Sequence, residues 1–214
     1  MNHFIREPIN SLTHLAGLLL SVAGMILLLV RALEEPTAAG LTGALVFSLG
    51  LIGLYSASTI YHWAKASPRV IARLRTLDHI MIYILIAATY TPICLLALNQ
   101  LTGGVLLGVI WTLTLTGIIL KLVWTSAPRW LYTGLYLGLG WAAITVIYPL
   151  IQALPAMAIV LMVSGGLSYT VGAVIYGLKP RRLRVGPFGF HEIFHLFILA
   201  GSLLHFLMVY LYVL

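Results

Sequence analysis

The sequence has very little charge. Asp, Glu, Lys and Arg make up 8% of its 214 residues, whereas a soluble globular domain contains about 25%. Because 61% of the residues are hydrophobic, a water-soluble domain and a disordered chain are both excluded. The net charge is +7, but the basic residues form short clusters between apolar segments instead of one basic helix face. We therefore expect no nucleic-acid partner.

Cysteine is almost absent as well. The single residue, Cys94, lies within an apolar run. One cysteine cannot form an intramolecular disulfide, and it cannot supply the paired thiolates of a cysteine-type zinc site. The sequence therefore predicts neither a disulfide framework nor a zinc site built from cysteine.

What the sequence has in abundance is long apolar runs. A transmembrane helix needs about 20 apolar residues, and these runs lack the period-two alternation of a membrane barrel. Seven segments are long enough: 12–30, 41–61, 80–98, 103–123, 131–150, 156–178 and 190–213. Since the connections between them are too short for a soluble domain, we predict an all-α fold. It is one polytopic seven-transmembrane-helix bundle spanning residues 1–214.

The distribution of basic residues predicts the orientation of this bundle. Eleven of the twelve fall at the N-terminus or in alternate connections, on one predicted side of the membrane: Arg6, Lys65, Arg69, Arg73, Arg75, Lys121, Arg129, Lys179, Arg181, Arg182 and Arg184. The opposite side has only Arg31. By the positive-inside rule, the N-terminus is cytoplasmic and the C-terminus is outside. We expect a multi-pass protein of the plasma membrane, in a bacterium the inner membrane.

Small residues recur at every fourth position in three of the spans. The ladders are Gly104 and Gly108; Gly134, Gly138 and Ala142; and Ser164, Ser168 and Gly172. Such ladders allow helix backbones to approach closely in lipid. We interpret all three as packing surfaces between helices.

Ionisable residues within spans are costly, at about 2.5–3.5 kcal/mol each on insertion scales. His62 ends the second span, Asp78 begins the third, and His191 and His195 begin the seventh. The predicted topology places all four at the cytoplasmic border. Residues four apart share a helix face with Cβ atoms about 5–6 Å apart, so His191 and His195 can hold one metal ion. Three imidazoles with an open fourth position are typical of catalytic zinc, although a proton relay or interhelical hydrogen bonding remains an alternative.

Two further residues are candidates for catalysis. Asp78 is suited to orient a water molecule, accept its proton or support a ligand imidazole. Ser58 precedes His62 by one helical turn and is suited to donate a hydrogen bond to a developing oxyanion. The other span histidines, His14, His79 and His205, are interpreted as structural.

The residues from His191 to His195 also spell H-E-x-x-H, the helix motif of zinc proteases in which the Glu activates water. This assigns a catalytic role to Glu192. Against it, the sequence has no convincing distal aspartate motif, and Asp78 is followed by His79 where intramembrane zinc proteases have Gly.

Several motifs together resemble the hemolysin III family. They are Glu7-Pro8-Ile9-Asn10, Ser58-Thr59-Ile60-Tyr61-His62, Leu77-Asp78-His79, Thr89-Tyr90-Thr91-Pro92 and the His191/His195 pair. That family belongs with the progestin and adipoQ receptors and, more remotely, with alkaline ceramidases. The resemblance implies one zinc near the cytoplasmic face. It implies ligands at His62, His191 and His195, a water-associated aspartate at Asp78 and a serine at Ser58, with no required role for Glu192.

The site and the resemblance predict a zinc-dependent lipid hydrolase that cleaves an amide bond, with Zn²⁺ as cofactor and a ceramide-like membrane lipid as substrate. One alternative is a non-enzymatic protein of membrane-lipid homeostasis or sensing with a structural zinc. The other is a pore-forming hemolysin, which the sequence favours less because no span has a continuous polar stripe to line a channel.

Overall fold

The computed structural model describes residues 5–214 and contains seven helices long and apolar enough to cross a membrane. They are α1 (Pro8–Glu34), α2 (Ala38–Trp63), α3 (Pro68–Ala97), α4 (Gln100–Val123), α5 (Arg129–Ala153), α6 (Ala156–Leu178) and α7 (Phe190–Val213). The predicted all-α, seven-span architecture is confirmed. Residues 1–4 of the predicted domain lie outside the described range.

The helix starts follow from local sequence. Pro8 and Pro68 occupy the first turns of α1 and α3, where the missing N–H costs nothing. Thr37 and Asn99 cap α2 and α4, since each side-chain oxygen accepts a hydrogen bond 2.9 Å long from a backbone N–H three residues later. Such caps satisfy amides that have no partner within the helix.

The helix that carries the predicted third span begins well before that span, which matters for the site. The apolar run predicts that the third span begins at residue 80, but α3 begins at Pro68. Asp78 therefore lies inside α3 and not at its start. Hydrophobicity marks only the membrane-embedded part of a helix, whereas the polar turns that contain Arg69 and Arg73 continue the same helix beyond it.

Two spans contain irregular turns at prolines. The α-helical part of α3 ends at Pro92, and a π-helical turn follows over Ile93–Ala97. In α5, a 3₁₀ segment over Trp141–Val146 precedes Pro149. Proline cannot donate to the carbonyl four residues earlier, so each of these helices lacks one regular backbone hydrogen bond near its irregular turn.

The bundle is held together mainly by three helix pairs, α1 with α2, α2 with α3, and α6 with α7, and α7 also packs against α1. The buried face of α1 consists largely of small or polar residues. A Cβ on Gly17 would lie 2.7 Å from Leu199 and 2.8 Å from Tyr55, so only glycine permits this approach. The face of α1 that contains His14 and Gly17 is thus a close packing surface.

Most of the predicted small-residue ladders do not pack against other helices. A Cβ built on Gly104, Gly108, Gly134 or Gly138 would meet no heavy atom within 4 Å. In the third ladder, Gly172 faces Phe197 with a Cβ distance of 3.1 Å, and the Ser168 hydroxyl donates to the Phe197 carbonyl at 2.8 Å, so this ladder makes the close contact expected. A spacing of four places residues on one helix face, but it does not determine whether that face meets a helix or lipid.

Candidate metal centre

Three histidines from two helices meet at one end of the bundle. His62 lies in the last turn of α2, and His191 and His195 lie in the first two turns of α7. One ring nitrogen from each lies within 4.8 Å of the others, and the Nε2 atoms of His62 and His191 are 3.4 Å apart. His62 and His195 are each only 1% exposed. The structure therefore brings the three predicted ligands together.

The hydrogen bonds of the outer ring nitrogens leave lone pairs available at the centre. His62 Nδ1 bonds the Glu7 carboxylate, which accepts when ionised. The Thr13 hydroxyl lies 3.0 Å from the carbonyl oxygens of Ile9 and Asn10, to which it donates. It therefore accepts from His195 Nδ1, 3.3 Å away. Both rings then have an unprotonated Nε2, the form that binds a metal ion.

Glu7 is placed by the segment just before α1. Its backbone N–H donates to the carbonyl of His62 at 3.1 Å, and the Arg6 N–H donates to that of Trp63 at 3.3 Å. The Arg6 guanidinium also donates to the Tyr61 carbonyl at 2.6 Å. These bonds satisfy terminal carbonyls of α2, which have no partner within the helix.

The environment of Glu7 keeps its carboxylate ionised. The hydrogen bond to His62 lowers the pKa of Glu7 below its ordinary value, and partial burial only partly opposes this shift. A carboxylate that holds the outer nitrogen of a ligand histidine is common in metal sites. Sequence reasoning did not assign this role to Glu7, although the residue belongs to the first motif of the resemblance.

His14 lies against the histidine cluster without belonging to it. Its ring stacks on that of His195 with centroids 3.6 Å apart, and its Nδ1 lies 2.7 Å from the Ser58 hydroxyl. The structural role predicted for His14 is therefore incomplete, because this residue packs on one candidate ligand and holds the candidate catalytic serine. The signal in the sequence was its position on the polar face of α1.

Asp78 and Ser58 line the same cavity as the three histidines. The cavity has a volume of about 620 Å³ and extends into the bundle as far as Tyr90 and Trp141. A largely apolar pocket with a few convergent polar groups is typical of a small-molecule or lipid site.

The Glu192 carboxylate is engaged elsewhere. One of its oxygens accepts a hydrogen bond from the Gly189 N–H at 2.9 Å, and the other accepts from the Asn10 side-chain amide at 2.8 Å. It therefore caps α7 and ties this helix to α1. This arrangement favours a structural role for Glu192 over the water-activating role that the protease motif would assign to it.

The two remaining span histidines make contacts consistent with the structural role predicted for them. His79 Nε2 lies 3.0 Å from the Tyr176 hydroxyl. His205 Nδ1 donates to the Gly201 carbonyl at 2.8 Å, and its ring stacks on Tyr169. Neither belongs to the group that could hold a metal ion.

Comparisons with known proteins agree with the motifs. A family model described as "Haemolysin-III related" matches residues 2–206. The chain is 37% identical over 215 residues to Hemolysin-3 of Bacillus cereus. This match covers 100% of the chain and 95% of the Bacillus cereus protein. It is 34% identical over 209 residues to the Hemolysin-3 homolog of Bacillus subtilis strain 168, covering 97% of this chain and 95% of that protein.

Proposed function

Since the chain belongs to the haemolysin-III-related family, we propose that this multi-pass membrane protein is a zinc-dependent lipid amidase. Its substrate is a ceramide-like lipid, its membrane is the bacterial plasma membrane, and its basic end faces the cytoplasm. One observation supports the proposal most strongly. Three imidazoles converge in the wall of a cavity of about 620 Å³ that is also lined by a serine and an aspartate.

The donor set suits zinc. Three histidine nitrogens, two of them fixed by outer hydrogen bonds, match the ligand type and number of catalytic zinc sites. When bound, zinc supplies a Lewis acid and makes hydroxide available near neutral pH. We assign His62, His191 and His195 to hold the ion, with Glu7 and Thr13 orienting the rings of His62 and His195.

The other cavity residues supply proton transfer and hydrogen bonding. Asp78 accepts the proton of the water that attacks the amide carbonyl and returns a proton to the departing amine, so that one water yields a fatty acid and a free amine. Ser58 donates a hydrogen bond to the carbonyl oxygen as negative charge develops on it. His14, which bonds the Ser58 hydroxyl, holds the serine in place.

The proposal is tested with purified protein and short-chain ceramide in detergent micelles. We expect fatty-acid release that stops on chelation and returns when zinc is added. A broad panel of amide-linked and ester-linked lipids with no chelator-sensitive hydrolysis would contradict the proposal. Dye leakage from liposomes that contain the protein would instead favour a pore.

Replacing Glu7 with glutamine is expected to weaken zinc binding. Glutamine keeps the size of the side chain but removes the charge that holds His62 Nδ1–H. Loss of such a partner typically costs about 10–100-fold in metal affinity or activity. Competition with a fluorescent chelator measures the change.

Glu35→Gln is the matched control, because Glu35 is exposed in the connection after α1. It should leave zinc affinity unchanged. If Glu7→Gln binds zinc as tightly as the unmodified protein, Glu7 does not position a ligand.

A further inference from the structure

A second cavity lies between α3, α4 and α5 at the basic end of the bundle, with a volume of about 900 Å³. Four cationic side chains line it: Arg73, Arg75, Lys121 and Arg129. Of the part of the chain that the structure describes, no Asp or Glu lines it. Within residues 5–214, the carboxylates that form ion pairs do so with Arg6, Arg31 and His62. The cavity therefore concentrates positive charge without an internal counter-ion.

Lys121 is the most informative of these cations. It is only 6% exposed, yet no carboxylate contacts it, and its ammonium lies 4.0 Å from the centre of the Tyr132 ring. A buried lysine needs an anionic or polar partner to offset the loss of hydration. One cation–π contact to Tyr132 replaces only part of the hydration that a buried ammonium loses.

The rim of the cavity indicates what kind of anion would enter. Leu77 and Leu122 line it and are 45% and 57% exposed on the outer surface of the bundle. Leu77 lies one helical turn beyond Arg73 toward the middle of α3, and Leu122 adjoins Lys121 near the end of α4, so in a membrane these leucines lie where the headgroups meet the lipid tails. A phosphate on a lipid satisfies both requirements, because its charge fits the cations and its chains fit the leucines.

We propose that this second cavity binds the phosphate of an anionic phospholipid headgroup. Lys121 and Arg73 approach the phosphate directly, as charge-assisted donors. The site is separate from the proposed hydrolysis of an amide lipid and does not depend on it. The two cavities are divided by a common wall of Arg75, His79, Arg129, Tyr136 and Tyr176.

Hydrogen bonds stiffen that wall. Tyr136 donates to the His79 carbonyl at 3.1 Å, and Arg129 donates to the Tyr176 carbonyl at 3.2 Å while its guanidinium stacks 4.6 Å above the Tyr176 ring. A headgroup bound in the second cavity therefore lies on the far side of the wall from the histidine cluster. Lipid binding there is expected to leave the histidine site free.

The test uses the delipidated full-length protein in neutral detergent. Short-chain phosphatidylglycerol, phosphatidylcholine with the same chains and inorganic phosphate are titrated separately, with binding followed by calorimetry. We expect phosphatidylglycerol to bind at least about tenfold more tightly than the other two, a difference of about 1.4 kcal/mol. Equal binding of phosphatidylcholine, or of free phosphate, would overturn the assignment to an anionic lipid.

Variants then locate the site. Lys121→Gln and Arg73→Gln should each weaken phosphatidylglycerol binding about fivefold, because one Lys or Arg near an anionic lipid surface contributes about 1 kcal/mol. Lys121→Arg should retain binding. Arg69→Gln is the matched control for Arg73→Gln. It removes an exposed charge from α3 that lines neither cavity, so this variant should bind phosphatidylglycerol like the unmodified protein.

Thermal unfolding without lipid shows whether Lys121→Gln still folds. If it does not, Arg73→Gln still tests the site, because Arg73 is exposed and its replacement should not unfold the protein. An equal loss in Arg69→Gln would indicate general surface charge and overturn the proposal. Unchanged binding in Arg73→Gln would overturn it as well.

Discussion

Replacing His195 with alanine is expected to remove both the zinc and the lipid hydrolysis that we propose. Among residues 5–214, His195 is one of three imidazoles in the cluster, and it is almost fully buried. Loss of a partner that merely orients a ligand costs about 10–100-fold in metal affinity, so loss of a ligand should cost more. Elemental analysis of detergent-purified protein measures the retained metal.

Asp78→Asn should separate metal binding from catalysis. Asparagine preserves the shape of the side chain but cannot accept the proton of an attacking water. Since general acid–base catalysis contributes about 10²–10⁴-fold, we expect turnover to fall by that factor while zinc stays bound. Equal turnover in Asp78→Asn and unmodified protein would show that Asp78 is not the proton acceptor.

His205→Ala is the control for His195→Ala, because His205 is a second buried histidine on α7 and lies outside the cluster. Its zinc content should match that of the unmodified protein. Full zinc retention by His195→Ala would exclude the proposed centre, whereas loss of zinc together with loss of hydrolysis would support it.

Replacing Gly103 with alanine is expected to destabilise the whole bundle. A Cβ at this position would lie 2.1 Å from the backbone oxygen of Cys94 and 3.3 Å from Leu98 Cβ. The first turn of α4 here packs directly on the π-helical turn of α3, and a backbone oxygen cannot move aside as a flexible side chain can. Overpacking of this kind costs about 1–3 kcal/mol, occasionally more.

Gly104→Ala is the matched control, one residue along the same helix. Its Cβ would meet no heavy atom within 4 Å, and alanine is favoured over glycine in helices by about 1 kcal/mol. Thermal unfolding in detergent should therefore show a lower midpoint for Gly103→Ala and an equal or higher one for Gly104→Ala. Equal midpoints for Gly103→Ala and the unmodified protein would mean that α3 and α4 do not approach this closely.

The transmembrane architecture could be predicted because long apolar runs report directly on burial in lipid. The same signal could not locate the start of α3, since the helix continues through Arg69 and Arg73 after hydrophobicity has ended. Nor could it identify which glycines meet another helix. Gly103 and Gly104 are neighbours in sequence, yet only Gly103 is in close contact, because contact depends on how a helix is rotated within the bundle.

The convergence of His62 with His191 and His195 could be predicted because topology alone fixes the depth of a helix end. The partners of these rings could not. Glu7 reaches His62 through a short segment that pairs with the end of α2, and His14 meets His195 across an interface between α1 and α7. Contacts of this kind depend on tertiary packing and leave no periodic pattern in the sequence.

The Asn10–Glu192 hydrogen bond joins the first helix to the last, and the histidine cluster draws on α2 and α7. During biosynthesis, six helices must therefore enter the bilayer before α7 supplies His191 and His195. Until then His62 has only Glu7 beside it, and a lone imidazole holds zinc weakly. If the proposed zinc centre forms, we therefore expect metal to be loaded only after α7 has inserted, and chains truncated before α7 should not retain the ion.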